Sequence, residues 1–389
     1  MRLGRPRDLV RNLHWPVLVP AVLLMLMGIF ALTDLTVFIA GAGEVGGWGG
    51  RQLRWMALGL AASAVVMLMP YKSLVERAYL AYGFTLLLLV LVLVLHDKRK
   101  GSMRWISIGG FGFQPSELMK LTLVLTMARF IRFKSSYKTF AGLGAPFLLT
   151  LLPMALILKQ PDLGTALLCV PLLFTTLFVA GARTRHLGLI VVLGLLGIYP
   201  VYKFGLEDYQ RARIDGYIAQ LPLAPKSQKE KKAIEQLNRQ ENFQVEQSKT
   251  AVGNGGYFGQ SADADLDALG TVPERHNDFI FAVVANRWGF FGCLLLLGCY
   301  LWMLCAILMV ALRQRDPAGR LICVGVFSLL GFQAFINIAM TVGLMPITGM
   351  TLPLVSYGGT SLVVSMLSIA LVCNVAGRPS FEFGRGDFA

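Results

Sequence analysis

Residues 273–312 read PERHNDFIFAVVANRWGFFGCLLLLGCYLWMLCAILMVAL, and this stretch decides the class of fold. From Phe279 onward the run is apolar and exceeds the roughly 20 residues with which an α-helix crosses a bilayer. A carboxylate, Asp278, stands at the junction between the polar loop and the apolar run. Because a charge at the edge of a membrane is costly unless it is paired or hydrated, Asp278 is a candidate functional residue.

The whole chain has the composition of a membrane protein. Of its 389 residues, 55% are hydrophobic and 15% are charged, which is too apolar for one or two soluble domains. Hydropathy, together with Gly, Pro and charge breaks, predicts an all-α integral membrane fold with ten transmembrane helices in a single polytopic domain over residues 1–389. The predicted spans lie at about 16–36, 52–70, 77–95, 115–132, 143–159, 162–181, 186–204, 279–311, 319–343 and 352–376.

The distribution of basic residues predicts the orientation in the membrane. Cytoplasmic loops carry an excess of Lys and Arg. Such residues precede the first predicted span and follow the second, fourth, sixth and eighth, as at Arg5, Lys72, Arg132, Arg183 and Arg313. We therefore expect a multi-pass protein of the cytoplasmic (inner) membrane with both termini cytoplasmic. The net charge of +14 then reflects orientation and attraction to anionic membrane lipid, and no nucleic-acid partner is expected.

Two outer loops depart from this pattern. The loop between the third and fourth spans carries Arg104 and other cations on the face where topology does not need them. It is either a solvated rim or a receptor for an anionic group such as a phosphate. The loop over residues 205–277, between helices 7 and 8, is predicted to be large and extracytoplasmic. Its segment at about 226–247 is rich in Lys, Glu and Gln, which is typical of a solvated amphipathic helix or a mobile insert.

Polar groups at membrane depth are the source of candidate chemistry. For a single segment, ordinary helix capping is the simpler explanation, and Pro115 and Ser116 suit a helix start. Several broken segments together indicate a shared polar interior, because irregular backbone is tolerated at this depth where it lines a cavity or is buried in protein. Five segments combine a Pro or Gly break or a polar loop with hydrogen-bonding side chains: 114–120, 159–165, 209–213, 274–278 and 353–361.

Glu117 and Lys120 are three residues apart and therefore share one face of a helix. They can pair with each other or present both charges to one cavity. A buried lysine needs an anionic partner, and Asp278 is the expected long-range one because it also starts a helix from the outer side. Such a contact would keep Asp278 ionised, as a general base requires. The alternative is a purely structural ion pair.

The motifs along the chain resemble the SEDS family (shape, elongation, division and sporulation), which includes RodA and FtsW. The resemblance covers nearly the whole chain in order. It rests on Arg104-Trp105-Ile106, Gln114-Pro115-Ser116-Glu117 with Lys120, the 160–166 run QPDLGTA, Gln247-Ser248, the glycines of 253–259, the 273–281 run PERHNDFIF, and 346–359.

This resemblance implies a function and partners. It implies a ten-helix peptidoglycan glycosyltransferase that polymerises lipid II, the undecaprenyl-pyrophosphate-linked disaccharide pentapeptide, at the outer face of the membrane. It also implies a class B penicillin-binding protein that crosslinks the new glycan. The short tail before the first span favours a RodA-type role in cell-wall elongation and cell shape. A division-type, FtsW-like polymerase, a lipid II flippase and an inactive scaffold are the alternatives.

The family's motifs also imply site residues. Asp278 matches the family's essential outer-loop aspartate and Lys120 the lysine of the fourth helix; we predict that both are catalytic, with Asp278 as the general base. A divalent cation such as Mg²⁺ or Mn²⁺ could share the stabilisation of the leaving pyrophosphate. Asn286 and Arg287 stand where the family usually has a Glu-Glu pair, so the role of those carboxylates is in doubt here. The predicted substrate-binding residues are Arg104, Trp105, Gln114, Ser116, Glu117, Asp162, Arg211, Arg213, Glu274, His276, Ser356 and Tyr357.

Overall fold

The computed structural model describes residues 13–40, 47–94, 104–108, 111–133, 136–200, 202–203, 211, 239–260 and 276–378. These residues form a helical bundle with one short β-hairpin. The elements are α1 (Trp15–Ala40), α2 (Trp48–Leu68), α3 (Tyr71–Glu76), α4 (Ala78–Val94), β1 (Ile106–Ile108), β2 (Phe111–Phe113), α5 (Pro115–Phe133), α6 (Gly144–Lys159), α7 (Leu163–Val179), α8 (Thr184–Pro200), α9 (Arg239–Asn254), α10 (Ile280–Arg313), α11 (Pro317–Thr341) and α12 (Gly359–Ala376).

A helix lies at each position where hydropathy predicted a span. Within the described residues, five helices are long and apolar enough to cross a membrane: Trp15–Thr33, Ala141–Lys159, Ile280–Arg313, Pro317–Thr341 and Gly359–Ala376. Shorter apolar helices cover Ala78–Val94, Leu163–Val179 and Thr184–Gly197. The most apolar windows of α11 and α12 are 72% and 83% buried, against 28% for Ala141–Lys159, so α11 and α12 form the centre of the bundle and α6 lies at its periphery.

Helix α10 is divided by a break at Gly289. This residue has φ 62° and ψ −157°, outside the helical region, and a positive φ favours glycine. The backbone of the 255–259 turn packs against it, since a Cβ at Gly289 would lie 2.4 Å from the nitrogen of Gly259. The amides of Phe290 and Phe291 donate to carbonyl groups of that turn at 2.9 and 3.2 Å. The turn after α9 is thereby fixed on α10.

The segment between α11 and α12 is irregular. A span is predicted at about 352–376, whereas the helix begins at Gly359. Pro353 removes a backbone donor, and Leu354 adopts φ 68°, which L-residues with side chains rarely do. The hydroxyl group of Ser356 accepts from the amide of Leu352 at 2.7 Å and stabilises the turn. The seven residues 352–358 of the predicted span, Ser356 and Tyr357 among them, are therefore loop rather than helix.

A polar cluster around Asp316 lies near the last turn of α5. Tyr71 donates its hydroxyl to Asp316 Oδ2 at 2.9 Å, and Arg132 Nε lies 3.8 Å from Asp316 Oδ1. Burial and the hydrogen bond to Asp316 raise the pKa of Tyr71. Arg378 donates to the carbonyl groups of Met67, Leu68 and Met69, the last carbonyl groups of α2. These contacts close the bundle at the end opposite to the start of α5.

Candidate active site

A cavity of about 530 Å³ lies where α2, α5, α7 and α12 begin. Four of the five polar segments singled out by sequence contribute to it. Its described lining is Arg51, Arg54, Trp55, Arg104, Trp105, Gly112, Gln114, Glu117, Thr165, Asn277, Asp278, Gly349, Met350, Thr351, Tyr357, Gly358, Gly359 and Ser361. The expectation of a shared polar interior is confirmed for these segments.

Asp278 enters the cavity from the turn that precedes α10. Its backbone carbonyl accepts from Asn337 Nδ2 at 2.8 Å, and the fully buried Asn337 also donates to the carbonyl of Met350. A methyl group placed at Gly349 would lie 3.6 Å from Asp278 Oδ2 and 4.0 Å from Arg104 Nη1. The carboxylate and the guanidinium group therefore both lie beside the same glycine.

Arg104 is held at the cavity by backbone carbonyl groups. Its Nε donates to the carbonyl of Gln160 at 3.1 Å, and its Nη2 donates to the carbonyl of Pro161. Gln160 is itself fixed, because its side chain donates to the carbonyl of Leu89 at 2.9 Å. The guanidinium group is therefore positioned by neutral acceptors, which leave its positive charge uncompensated by these contacts.

Lys120 differs from the expectation. Its ammonium group donates to Glu117 and to Gln333 Oε1, both at 2.9 Å, rather than to Asp278. The reason is helical geometry, since Glu117 lies one turn away on the same face of α5. Lys120 is 3% exposed and does not line the cavity, whereas Glu117 does. The expected long-range pair with Asp278 is thus replaced by a local pair within the wall.

Gln333 extends the Lys120 contact across the wall. Its Nε2 donates to the carbonyl of Thr351 at 2.9 Å, and the hydroxyl groups of Thr351 and Ser361 lie 2.7 Å apart. Both hydroxyl-bearing residues line the cavity. A continuous chain of hydrogen bonds therefore joins the buried ion pair of α5 to the cavity surface formed by the segment before α12.

Asp162 has a local structural partner set. It is 2% exposed and caps α7, accepting from the amide of Thr165 at 3.2 Å. Its Oδ2 also accepts from Gln114 Nε2 at 2.9 Å and from the hydroxyl of Ser116 at 3.1 Å. The carboxylate joins the starts of α5 and α7. Of these four residues, Gln114 and Thr165 line the cavity.

The remaining predicted substrate-binding residues line the cavity, lie elsewhere among the described residues, or fall outside the described residues. Tyr357 and Trp105 line the cavity, and the Trp105 side chain is 45% exposed. His276 supports Tyr357: its carbonyl accepts from the Tyr357 amide at 2.9 Å, and the two rings lie 6.0 Å apart. Arg211 is described but does not line the cavity. Ser356 is buried in its turn, and Arg213 and Glu274 lie outside the described residues.

Sequence reasoning missed Arg51, Arg54 and Trp55. Helix α2 begins at Trp48, several residues before the predicted span at about 52–70, because the two arginines lower the hydropathy of its first turns. A signal for them was present. Arg51 precedes the predicted span and Arg54 lies in its first turn, at the end where topology needs no positive charge, which is the same anomaly that singled out Arg104.

Asn286 takes a position that suits an amide. It is 1% exposed, and its Nδ2 donates to the carbonyl of Ala251 at 3.1 Å, which joins α10 to α9. A carboxylate there could not donate that hydrogen bond unless it were protonated. The amide at position 286, where the resemblance to the family implies an acidic residue, therefore forms a structural contact with α9 in this chain.

The arrangement suits a negatively charged substrate with a transferable proton. Three arginines and the carboxylates of Asp278 and Glu117 face one cavity. Among the described residues, no group of three or more His, Cys, Asp or Glu side chains could hold a metal ion. The charged groups available in the described lining are thus a candidate base beside several guanidinium groups.

Known proteins resemble this chain over most of its length. MrdB of Escherichia coli K12, named a peptidoglycan glycosyltransferase, is 33% identical over 357 residues, which cover 92% of each chain. A protein of Geobacter metallireducens named "Probable peptidoglycan glycosyltransferase FtsW" is 36% identical over 337 residues, covering 84% of each.

Two solved structures have the same fold. A chain in a peptidoglycan synthase complex, described as coordinating polymerization and crosslinking, matches with a TM-score of 0.76 and 31% identity, covering 93% of this chain and 97% of that one. The rod shape determining protein RodA of Thermus thermophilus matches with a TM-score of 0.65 and 30% identity, covering 93% and 96%.

A family model agrees with these relatives and with the motifs read from the sequence. The model for cell cycle proteins of the FtsW, RodA and SpoVE type matches residues 15–380. Together with the apolar helices, this match makes the chain a multi-pass membrane protein. The chain therefore belongs to the FtsW/RodA/SpoVE family, the SEDS family that its motifs resemble.

Proposed function

We propose that this chain is a peptidoglycan glycosyltransferase that polymerises lipid II at the outer face of the cytoplasmic membrane. The observation that carries the proposal is the placement of Asp278 and Arg104 next to Gly349 in one cavity. A base and a cation in one cavity can act on the acceptor hydroxyl and on the leaving group of the same transfer reaction. The names of MrdB and FtsW relatives support peptidoglycan synthesis as the activity.

The proposed reaction joins the sugar of one lipid II molecule to another. The oxygen of an acceptor hydroxyl attacks the anomeric carbon of the donor and forms the new glycosidic bond. The bond between that carbon and the diphosphate oxygen breaks, and the electron pair leaves with undecaprenyl diphosphate. Asp278 takes the hydroxyl proton as general base. Arg104 stabilises the negative charge that develops on the leaving diphosphate.

Lys120 acts through Glu117 in this proposal. Their ion pair holds the Glu117 carboxylate at the cavity wall, and the bond to Gln333 connects the pair to Thr351. The described lining offers a divalent cation two carboxylates, of which Glu117 is already paired with Lys120. This set does not fit a metal ion held by protein ligands, so no step of the proposed reaction passes through one.

The membrane arrangement completes the proposal. All ten helices at the predicted positions cross the membrane, with cytoplasmic termini and with residues 205–277 on the outer side. The cavity then faces the outer leaflet, and the polar cluster around Asp316 faces the cytoplasm. A class B penicillin-binding protein is the proposed partner, which the similarity to a chain of a peptidoglycan synthase complex supports. The RodA-type role in elongation remains our preference over division.

Polymerisation can be measured directly. We expect the purified protein, with its cognate transpeptidase, to convert labelled lipid II into glycan strands that form a ladder on a gel. Proteoliposomes with labelled lipid II in one leaflet separate the two activities, since a flippase would move the label across the bilayer without forming polymer. Translocation without any ladder, in the presence of the partner, would refute the glycosyltransferase function and favour the transporter.

A further inference from the structure

Arg51 and Arg54 face the cavity from the first turns of α2. They are three residues apart, so their side chains lie on the same face of the helix. Both line the cavity together with Arg104. Among the residues that the structure describes, neither forms an ion pair with a carboxylate. Their charges are therefore not neutralised by the described part of the protein.

Neighbouring residues fix this part of α2 in place. The side chain of Gln52, 1% exposed, donates to the carbonyl of Ser356 at 3.0 Å. The Trp55 ring packs directly on Gly359, where an added Cβ would lie 2.0 Å from a ring atom. Gln52 and Trp55 thus attach this part of α2 to the segment that starts α12, which holds the two arginines at the cavity.

The balance of charge in the cavity favours an anion with more than one charge. Three guanidinium groups face two carboxylates, and Glu117 is already paired with Lys120. Arginine presents a planar set of donors that matches phosphate oxygens two at a time. Two arginines on α2 and a third that is bound to the carbonyl groups before α7 can contact two adjacent phosphates. A monophosphate has fewer terminal oxygens and less negative charge, so it would satisfy the three guanidinium groups less fully than a diphosphate.

We propose that Arg51 and Arg54, together with Arg104, bind the diphosphate group of the polyprenyl-linked substrate. This inference rests on the proposed function and specifies which residues recognise the substrate's charge. Lys120 lies outside this subsite, because its ammonium group is buried and bonded to Glu117 and Gln333. The subsite therefore differs from the substrate-binding residues predicted from the sequence, which included Arg104 and omitted both arginines of α2.

Binding in the absence of turnover tests the subsite. The background is Asp278→Asn, and the probes are undecaprenyl diphosphate and undecaprenyl monophosphate. Tryptophan fluorescence reports binding, since Trp55 and Trp105 line the cavity. We expect the diphosphate to bind at least about tenfold more tightly than the monophosphate. The double substitution Arg51→Gln with Arg54→Gln should lower diphosphate affinity by about tenfold or more, and monophosphate affinity much less.

Two further variants sharpen the result. Replacing both arginines by lysine keeps the charge and removes the planar fork, so diphosphate affinity should lie between wild type and the glutamine variant. Arg185→Gln, which removes one exposed cation at the start of α8, should leave both affinities unchanged. Size-exclusion chromatography confirms that each variant is folded.

The outcomes test the proposed diphosphate subsite and the proposed glycosyltransferase function separately. Equal diphosphate affinity in the glutamine variant and its parent would overturn the inference, as would an equal loss for both probes. Absence of polymerisation by the wild-type protein with its partner would overturn the proposed function. The binding experiment would still decide whether a diphosphate site exists, because it does not depend on turnover.

Discussion

Lys120 and Glu117 form an ion pair of 2.9 Å in the wall of the cavity, with side chains 3% and 8% exposed. The pair lies one turn into α5 and reaches the cavity surface only through Glu117. Its burial means that neither charge can be removed alone without leaving the other in a medium of low dielectric constant. The pair can therefore be examined through stability as well as through activity.

Lys120→Met should lower the free energy of unfolding by about 3–5 kcal/mol, because Glu117 is left as an unpaired buried charge. Adding Glu117→Gln should recover most of that loss. Thermal unfolding in detergent measures both. Polymerisation should stay low in the double variant, since the carboxylate of Glu117 at the cavity is gone. Full activity in the double variant would show that the pair has a structural role alone.

Asp278→Asn should reduce polymerisation by roughly 10²–10⁴-fold through loss of the general base, while the protein still folds. The measurement is the rate of glycan formation from lipid II. Glu246→Gln is a matched control that removes an exposed carboxylate from α9, and its rate should equal that of the wild type. Activity of Asp278→Asn near the wild-type rate would contradict the assignment of the base.

Gly349→Ala should impair the reaction more than it impairs folding. Gly349 has φ 69°, where an L-residue costs roughly 1–2 kcal/mol, and the new methyl group would contact both Asp278 and Arg104. We expect a loss of polymerisation with a modest fall in melting temperature. Gly194→Ala in α8, where an added Cβ meets no atom within 4 Å, should leave both quantities unchanged or slightly raise stability. Normal rates for Gly349→Ala would show that the space beside Gly349, next to Asp278 and Arg104, is not used by substrate.

Asn286→Asp should loosen α9 from α10. The substitution replaces the donor to the Ala251 carbonyl by an acceptor, in a position 1% exposed, which costs about 1–3 kcal/mol. Hydrogen exchange of the α9 amides should become faster. Asn254→Asp, an exposed change at the end of the same helix, is the control and should leave exchange unaltered. Unchanged exchange in Asn286→Asp would mean that the amide contact contributes nothing to holding α9.

The predicted helix positions succeed where the residues that end a helix are local. Pro115, at the first position of α5, agrees with the predicted boundary at 115. The start of α12 is a counter-example, because this helix begins at Gly359 and not at about 352. The error at α12 arises because Pro353 to Tyr357 is apolar enough to read as membrane span. Its loop conformation depends on contacts with Gln52 and His276, which are distant in sequence.

The candidate site was predictable in part for the same reason. The polar segments can be recognised by their composition. Because isolated polar groups are costly in lipid, the sequence also predicts that these segments meet at a cavity. Which charges face each other does not follow. Either Glu117 or Asp278 could have paired with Lys120, and Glu117, which is on the same helix, is its partner. Arg51 and Arg54 needed the packing of Trp55 on Gly359 to bring them to the cavity.

The break at Gly289 separates two parts of α10 that have different surroundings. Residues Ile280 to Asn286, before the break, are enclosed by protein, whereas Phe290, Phe291, Leu294 and Leu295 after it are exposed. The part of α10 that follows Asp278 is therefore positioned by contacts with the rest of the bundle, and exposed apolar side chains begin only after the break. Asp278 is thus attached to a segment that the protein itself encloses, and the second part of the helix offers the surface for lipid.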